Sequence, residues 1–220
     1  MSISLFELFK IGIGPSSSHT VGPMIAAHRF VSELSAHNQL DNVNSLLAET
    51  FGSLALTGIG HGTDKAILLG LSGEQPHLVD PDEADSIVAN IRNTRELLLL
   101  GKKTISFDTE KEIKFNRRAR LPFHSNGMKF SAFDENKNML EEGVYYSIGG
   151  GFVLSQAEAD SKSKASSTTP REVPFPFESG RELLEHGNNT GQRIPELILA
   201  NEKALNLSKD IHVEIDKIWN

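Results

Sequence analysis

The chain has 220 residues, 38% of them hydrophobic and twelve of them Phe, which suffices for one sizeable domain and part of a second. Its formal net charge of −7, with no long Lys/Arg run, argues against nucleic acid or an anionic membrane surface as the main partner, and no apolar run approaches membrane-spanning length. The absence of cysteine excludes disulfides, a thiol nucleophile and any cysteine-ligated metal centre built by this chain alone.

The stretch from Met1 to Gly14 lacks a basic n-region and a cleavage motif, so a soluble, cytoplasmic protein is expected. Ser4-Leu5-Phe6-Glu7 reads as a capping box opening a short helix, with Phe6 and Phe9 available for the core. That helix stops at Gly12 and Gly14, where a Ser-rich loop begins. A second helix is predicted over 23–35, because Met24, Ala27, Val31 and Leu34 recur at helical spacing and Pro23 suits a first turn. His28, on this helix, reads as a surface or partly buried structural histidine. Residues 46–56 are mostly apolar with Gly52 inside, a strand turning into a short helical piece. They deliver a glycine-rich motif, Thr57-Gly58-Ile59-Gly60-His61-Gly62-Thr63-Asp64-Lys65. Thr63 is expected to cap a helix through Leu71 that Gly73 ends. Pro81 opens an amphipathic helix predicted to end at Gly101, with Ala84, Ile87, Val88, Ile91, Leu97 and Leu98 inward.

Beyond Gly101 the hydrophobic period falls to two. Residues 104–107 and 111–115 read as strands around Asp108-Thr109-Glu110, and 128–133 with 140–147 as a hairpin around 134–138. Helices first and hairpins later predict an α+β fold, an antiparallel sheet with packed helices, not alternating βαβ units. Arg117, Arg118 and Arg120 read as a solvated basic loop. Residues 156–178, rich in Ser, Lys, Thr and Pro, read as a surface linker between a domain over 1–155 and a helical segment over 179–220. In that segment a capping box at 179–182, Pro195 and Ser208 mark three helix starts. The last helix carries an apolar stripe of Ile211, Ile215, Ile218 and Trp219, from which a truncated second domain or a partner chain is expected.

Two loops concentrate chemistry. Gly14-Pro15-Ser16-Ser17-Ser18-His19-Thr20-Val21-Gly22-Pro23-Met24 packs hydroxyls and an imidazole between Gly/Pro breakers, just ahead of a helix. These side chains prefer local backbone bonds or helix capping. Such a loop gathers N–H donors, hydroxyls and the positive end of the helix dipole, which suits a small carboxylate or phosphate. The alternative is an elaborate N-cap with no ligand; His19 and the flanking glycines favour a site. His61 has glycine on both sides, so backbone comes close to a ligand while the imidazole projects from a turn. An imidazole is a general base near neutral pH. Its setting, with Gly60, Thr63 and Asp64, favours a site role over a structural one. His124-Ser125-Asn126-Gly127 adds an imidazole and a carboxamide, for which turn chemistry and a site role both stay open. No G-x-G-x-x-G fingerprint, Walker A sequence, G-x-S-x-G elbow or zincin histidine pair occurs, and no metal ligands are assigned.

The stretch from Gly14 to Met24 and that from Gly58 to Lys65 together resemble the bacterial iron–sulfur L-serine dehydratases (L-serine ammonia-lyases). Lys10-Ile11-Gly12-Ile13, His124-Ser125-Asn126-Gly127 and Ser147-Ile148-Gly149-Gly150-Gly151-Phe152 match as well. The resemblance implies an N-terminal β domain followed by the start of a helical α domain. It implies conversion of L-serine to pyruvate and ammonia, with a [4Fe–4S] cluster in the complete enzyme polarising the departing hydroxyl. The cluster cysteines belong to the α domain, so this chain is expected to be a fragment or one subunit, inactive alone, partnered by a cysteine-bearing α domain or subunit and forming a homodimer. By motif, His61 is the proton-abstracting base. Ser16, Ser17, Ser18, His19 and Thr20 bind the substrate carboxylate or line the cleft facing the cluster, and Gly60, Thr63, Asp64, His124 and Asn126 support them. The β domain also resembles the allosteric substrate-binding domain of some D-3-phosphoglycerate dehydrogenases. That likeness implies a second expectation, a regulatory anion- or amino-acid-binding and dimerisation module without catalytic residues.

Overall fold

A computed structural model describes residues 4–164, 172–208 and 210–219. It separates into two units, Ile11–Lys164 on the one hand and Met1–Lys10 with Ala165–Asn220 on the other. The capping box at the start is formed: Ser4 Oγ accepts the Phe6 N–H and the Glu7 carboxylate accepts that of Ser4, opening α1 (Leu5–Leu8). Phe9, expected in the core, is exposed, because the chain leaves the helix in extended conformation there.

In the unit Ile11–Lys164, α2 (Gly22–Ala36) buries Met24, Ala27, Phe30, Val31 and Leu34, the predicted stripe. Strand β1 (Ser45–Phe51) alternates inward Leu46, Ala48 and Thr50 with outward residues, and passes directly into α3 (Gly52–Thr57) as expected. Helix α4 (Thr63–Ser72) packs against α2 so closely that a Cβ on Gly70 would lie 2.3 Å from the Met24 carbonyl oxygen. Asp80 caps α5 (Pro81–Thr94). This helix ends earlier than its apolar spacing predicts: Arg95 is left-handed (φ 56°), and Leu97 and Leu99 point inward from β2 (Glu96–Leu99), leaving Leu98 exposed. A Glu-Leu-Leu-Leu run fits either period, and pairing with β3 (Lys103–Ser106) decides it.

A second difference follows. The expected strands on either side of Asp108 form no hairpin, because α6 (Thr109–Glu112) intervenes and β4 (Ile113–Asn116) pairs parallel to β1. Strands β5 (Asn126–Phe133) and β6 (Met139–Gly149) make the predicted hairpin, its turn held by the Asp134 carboxylate accepting the N–H groups of Asn136 and Asn138. After three left-handed glycines, β7 (Phe152–Ser155) completes a sheet of order β4-β1-β5-β6-β7, antiparallel except for the β1–β4 pair. The α+β class therefore stands. Phe30 stacks on Phe130 at 5.6 Å, and Phe130 meets Tyr145 at 6.0 Å, joining α2 to the sheet. Residues 156–164, read as linker, instead form α7 (Gln156–Lys164), whose Glu158 takes a 2.8 Å bond from Arg29 while Ala159 is buried. Residues 165–171 of that stretch lie outside the described residues.

The other unit holds α8 (Gly180–Thr190), α9 (Ile194–Leu205) and α10 (Ile211–Trp219). Ser179 Oγ accepts the Glu182 N–H, but the returning Glu182 carboxylate accepts the N–H of Glu178, so the predicted box closes one residue early. Asp210, not Ser208, caps α10. Asn201 of α9 bonds the Phe175 backbone through both ends of its carboxamide, and the neighbouring Glu202 accepts from Ser4 Oγ and the Leu5 N–H. Among the described residues no helix is long and apolar enough to cross a membrane.

Candidate active site

Phe51 of β1, Gly127 of β5 and Tyr146 of β6 lie side by side at one end of the large sheet. Gly52 turns the chain into α3 there with φ +57°, and a Cβ on it would lie 2.3 Å from the Ser125 carbonyl oxygen, so no side chain fits. Gly22, at the head of α2, is as constrained: its Cβ would meet Ser147 Oγ at 2.0 Å. These two close approaches bring the Ser-rich loop, the start of α3 and the His124 turn to one place.

The Ser-rich loop is a single π-helical turn, Ser17–Val21. Ser16 Oγ caps it by accepting the His19 N–H at 3.2 Å, so part of the capping reading holds. The His19 ring is held at both nitrogens, Nδ1 to Ser18 Oγ at 2.9 Å and Nε2 to Ser53 Oγ at 3.1 Å. Burial, together with the neighbouring His61, pushes its pKa below the ordinary imidazole value. The ring is accordingly neutral at pH 7. The Ser17 side chain is exposed, and its carbonyl accepts the Gly22 N–H.

His61 closes a short 3-10 turn, Ile59–His61, and Gly62 follows in left-handed conformation (φ +68°). Its Nδ1 lies 2.9 Å from the Thr57 carbonyl oxygen. A carbonyl can only accept, so Nδ1 is the donor, and in the neutral ring the lone pair is on Nε2. The His19 and His61 rings stand 5.1 Å apart at 41°. Two buried hydroxyls cross-tie the turns that carry them: Thr20 Oγ1 donates to the His61 carbonyl at 2.8 Å, and Thr63 Oγ1 to the His19 carbonyl at 2.5 Å. Thr63 is thus not the N-cap of α4; Gly62 holds that position. A cavity of about 450 Å³ opens beside His61, lined by Thr20, Gly60, Lys65 and Asp85 with an apolar wall that includes Ile13 and Val88.

Asp64 does not line this cavity. Its carboxylate accepts from Arg92 of α5 and faces a different cavity, of about 400 Å³. The His124 turn is joined to the histidine pair through Ser53, whose N–H donates to the Ser125 carbonyl at 2.8 Å while its hydroxyl holds His19. The His124 imidazole itself turns inward, Nδ1 accepting the Asn126 N–H at 3.1 Å. Asn126 donates from Nδ2 to the Ser147 carbonyl, while its Oδ1 and Ser147 Oγ are buried with no hydrogen-bond partner. Such uncommitted buried polar atoms are few in folded proteins, and these two lie behind the Ser-rich loop. Ser53 escapes sequence reasoning and only its contacts mark it, whereas Ser147 opens a stretch that carries the resemblance without a role implied for it. Among the described residues no cluster of three or more His, Asp or Glu is able to hold a metal ion.

The family model for the serine dehydratase beta chain matches residues 4–158. An L-serine dehydratase of Streptomyces coelicolor is 42% identical over 219 residues, covering 100% of this chain and 48% of its own length. L-serine dehydratase 1 of Escherichia coli is 40% identical over 220 residues, covering 99% of this chain and 47% of its own length. An L-serine dehydratase of Haemophilus influenzae is 38% identical over 218 residues, again 99% and 47%. The chain thus spans about half the length of the curated relatives it matches.

Proposed function

Because the chain belongs to the serine dehydratase beta chain family, we propose that it forms the base-bearing half of an L-serine dehydratase, with His61 as the base. The observation that carries this reading is the bond from His61 Nδ1 to the Thr57 carbonyl, which in the neutral imidazole puts the proton on Nδ1 and the lone pair on Nε2, in a residue that lines a cavity of about 450 Å³. In the reaction His61 Nε2 takes the Cα proton of L-serine. The C–H electron pair forms the Cα–Cβ double bond as the Cβ hydroxyl leaves, giving aminoacrylate. Tautomerisation to the imine and addition of water then yield pyruvate and ammonia. In this reading the Ser16–Thr20 turn takes the substrate carboxylate: Ser17 is exposed on it and Thr20 lines the cavity, whereas Ser16, Ser18 and His19 are bonded to one another and to Ser53 and stand outside the cavity lining. Thr63 and Thr20 hold the two imidazoles in register, and Asn126 and His124 hold the floor behind them.

The [4Fe–4S] cluster implied by the resemblance does not fit the residues of this chain, which has no cysteine, so in this reading it belongs to the companion α half. The test is reconstitution of the chain with that half, anaerobically with iron and sulfide, assayed for pyruvate from L-serine. His61→Ala is expected to lower kcat by about 10²–10⁴ with little change in KM. Undiminished turnover in that variant overturns the assignment and leaves the domain a regulatory or structural role.

A further inference from the structure

In the reading above the Ser16–Thr20 turn takes the carboxylate of an amino acid, but an α-ammonium group needs an acceptor as well. Among the described residues lining the cavity beside His61, Asp85 is the one carboxylate and Lys65 the one ammonium. They face each other from the first turn of α4 and the second turn of α5, with Lys65 Nζ 2.8 Å from Asp85 Oδ1. Asp85 thus already holds a primary ammonium group at the wall of this cavity, the same chemical group that an α-amino acid brings.

Resting on the reading of His61 as the base, we propose that Asp85 is the ammonium-recognition residue of the site and that the Lys65 ammonium is the resident occupant an amino-acid substrate displaces. Exchange is cheap. The Lys65 side chain is 47% exposed and that of Asp85 81%, and an ion pair this open to water contributes little to stability. The lysine bonded to it keeps the Asp85 carboxyl below the usual aspartate value, so the group enters the exchange ionised. A displaced Lys65 has a flexible four-carbon stem, already half exposed, on which to swing to solvent. The Asp85 carboxylate selects a substrate carrying a cationic amine and discriminates against the same hydroxy acid without one.

The test uses the reconstituted dehydratase, with KM and kcat for L-serine and competitive inhibition by 3-hydroxypropionate, which keeps the carboxylate and hydroxyl but lacks the amine. Asp85→Asn is expected to raise KM about tenfold, the loss of one charge-assisted hydrogen bond at a solvated site. It leaves kcat within about threefold and inhibition by 3-hydroxypropionate unchanged. Lys65→Met removes the competing ammonium and is expected to leave KM the same or lower. An unchanged KM in Asp85→Asn overturns the proposal, as does equal weakening of serine and 3-hydroxypropionate, or a Lys65→Met variant as impaired as Asp85→Asn. Turnover that survives His61→Ala in the otherwise unaltered enzyme overturns the reading of the base itself. Turnover lost in His61→Ala but kinetics untouched by Asp85→Asn overturns the ammonium assignment alone.

Discussion

Two threonine hydroxyls fix the geometry of the histidine pair. Thr20 bonds the carbonyl of His61 and Thr63 that of His19, so each imidazole-bearing turn is pinned by the residue beside the other imidazole. Thr63 is fully buried, and Thr63→Val keeps its shape while leaving the His19 carbonyl without its donor. The variant is expected to lose about 1–3 kcal/mol of unfolding free energy, read from the shift of a urea midpoint at constant m-value. A midpoint that stays put would show that the tie contributes nothing. At this scale the sequence exposes the residue types but not their partners. The Gly-His-Gly-Thr-Asp string marks a site, yet Thr63 reads as a helix cap and Asp64 as its neighbour in function. In the fold Thr63 faces His19, and Asp64 turns to Arg92 on the far side of α4.

Among the elements, the α2–α4 contact decides where the His61 turn stands. Gly70 allows it, since a Cβ there would lie 2.3 Å from the Met24 carbonyl oxygen and 2.8 Å from Ala27 Cβ. Gly70→Ala is expected to cost about 1–3 kcal/mol through overpacking, against a change within about 0.5 kcal/mol for Gly60→Ala, where the added methyl meets nothing within 4 Å. Thermal or chemical denaturation of the pair separates the two, and equal midpoints would mean that the helices part without penalty. Helix periodicity predicts α2 and the start and inward face of α5, though not its end, because one buried stripe governs each. It fails at residues 96–99, where a run of leucines satisfies both periods and only pairing with β3 chooses between them. It fails again at β4, whose parallel partner β1 lies far back in the chain.

Over the whole molecule the chain forms two units, and the N-terminal residues belong with the C-terminal helices. Helix α1 is too short to persist alone. Glu202, 3% exposed, holds it by accepting from Ser4 Oγ at 2.8 Å and from the Leu5 N–H. Glu202→Ala leaves three donors, Ser4 Oγ, the Leu5 N–H and Asn206 Nδ2, without that acceptor and is expected to remove hydrogen-exchange protection from α1 and weaken it in α9, while the β5–β6 amides keep theirs. Protection retained in α1 would contradict this anchoring. What the sequence by itself determined is whatever local energies carry: caps, turn residues, the period of each buried face, the α+β class, the two loops rich in chemistry and the absence of cysteine. Those terms act over a few residues and are printed in any short window. Only the tertiary structure decided that His19 meets His61, that Ser53 and Ser147 join them, that Lys65 occupies Asp85 and that Ser4 reaches Glu202. Each of those contacts closes a long loop, and the entropy lost in closing it is offset by burial of the whole core, a quantity no single window of sequence contains.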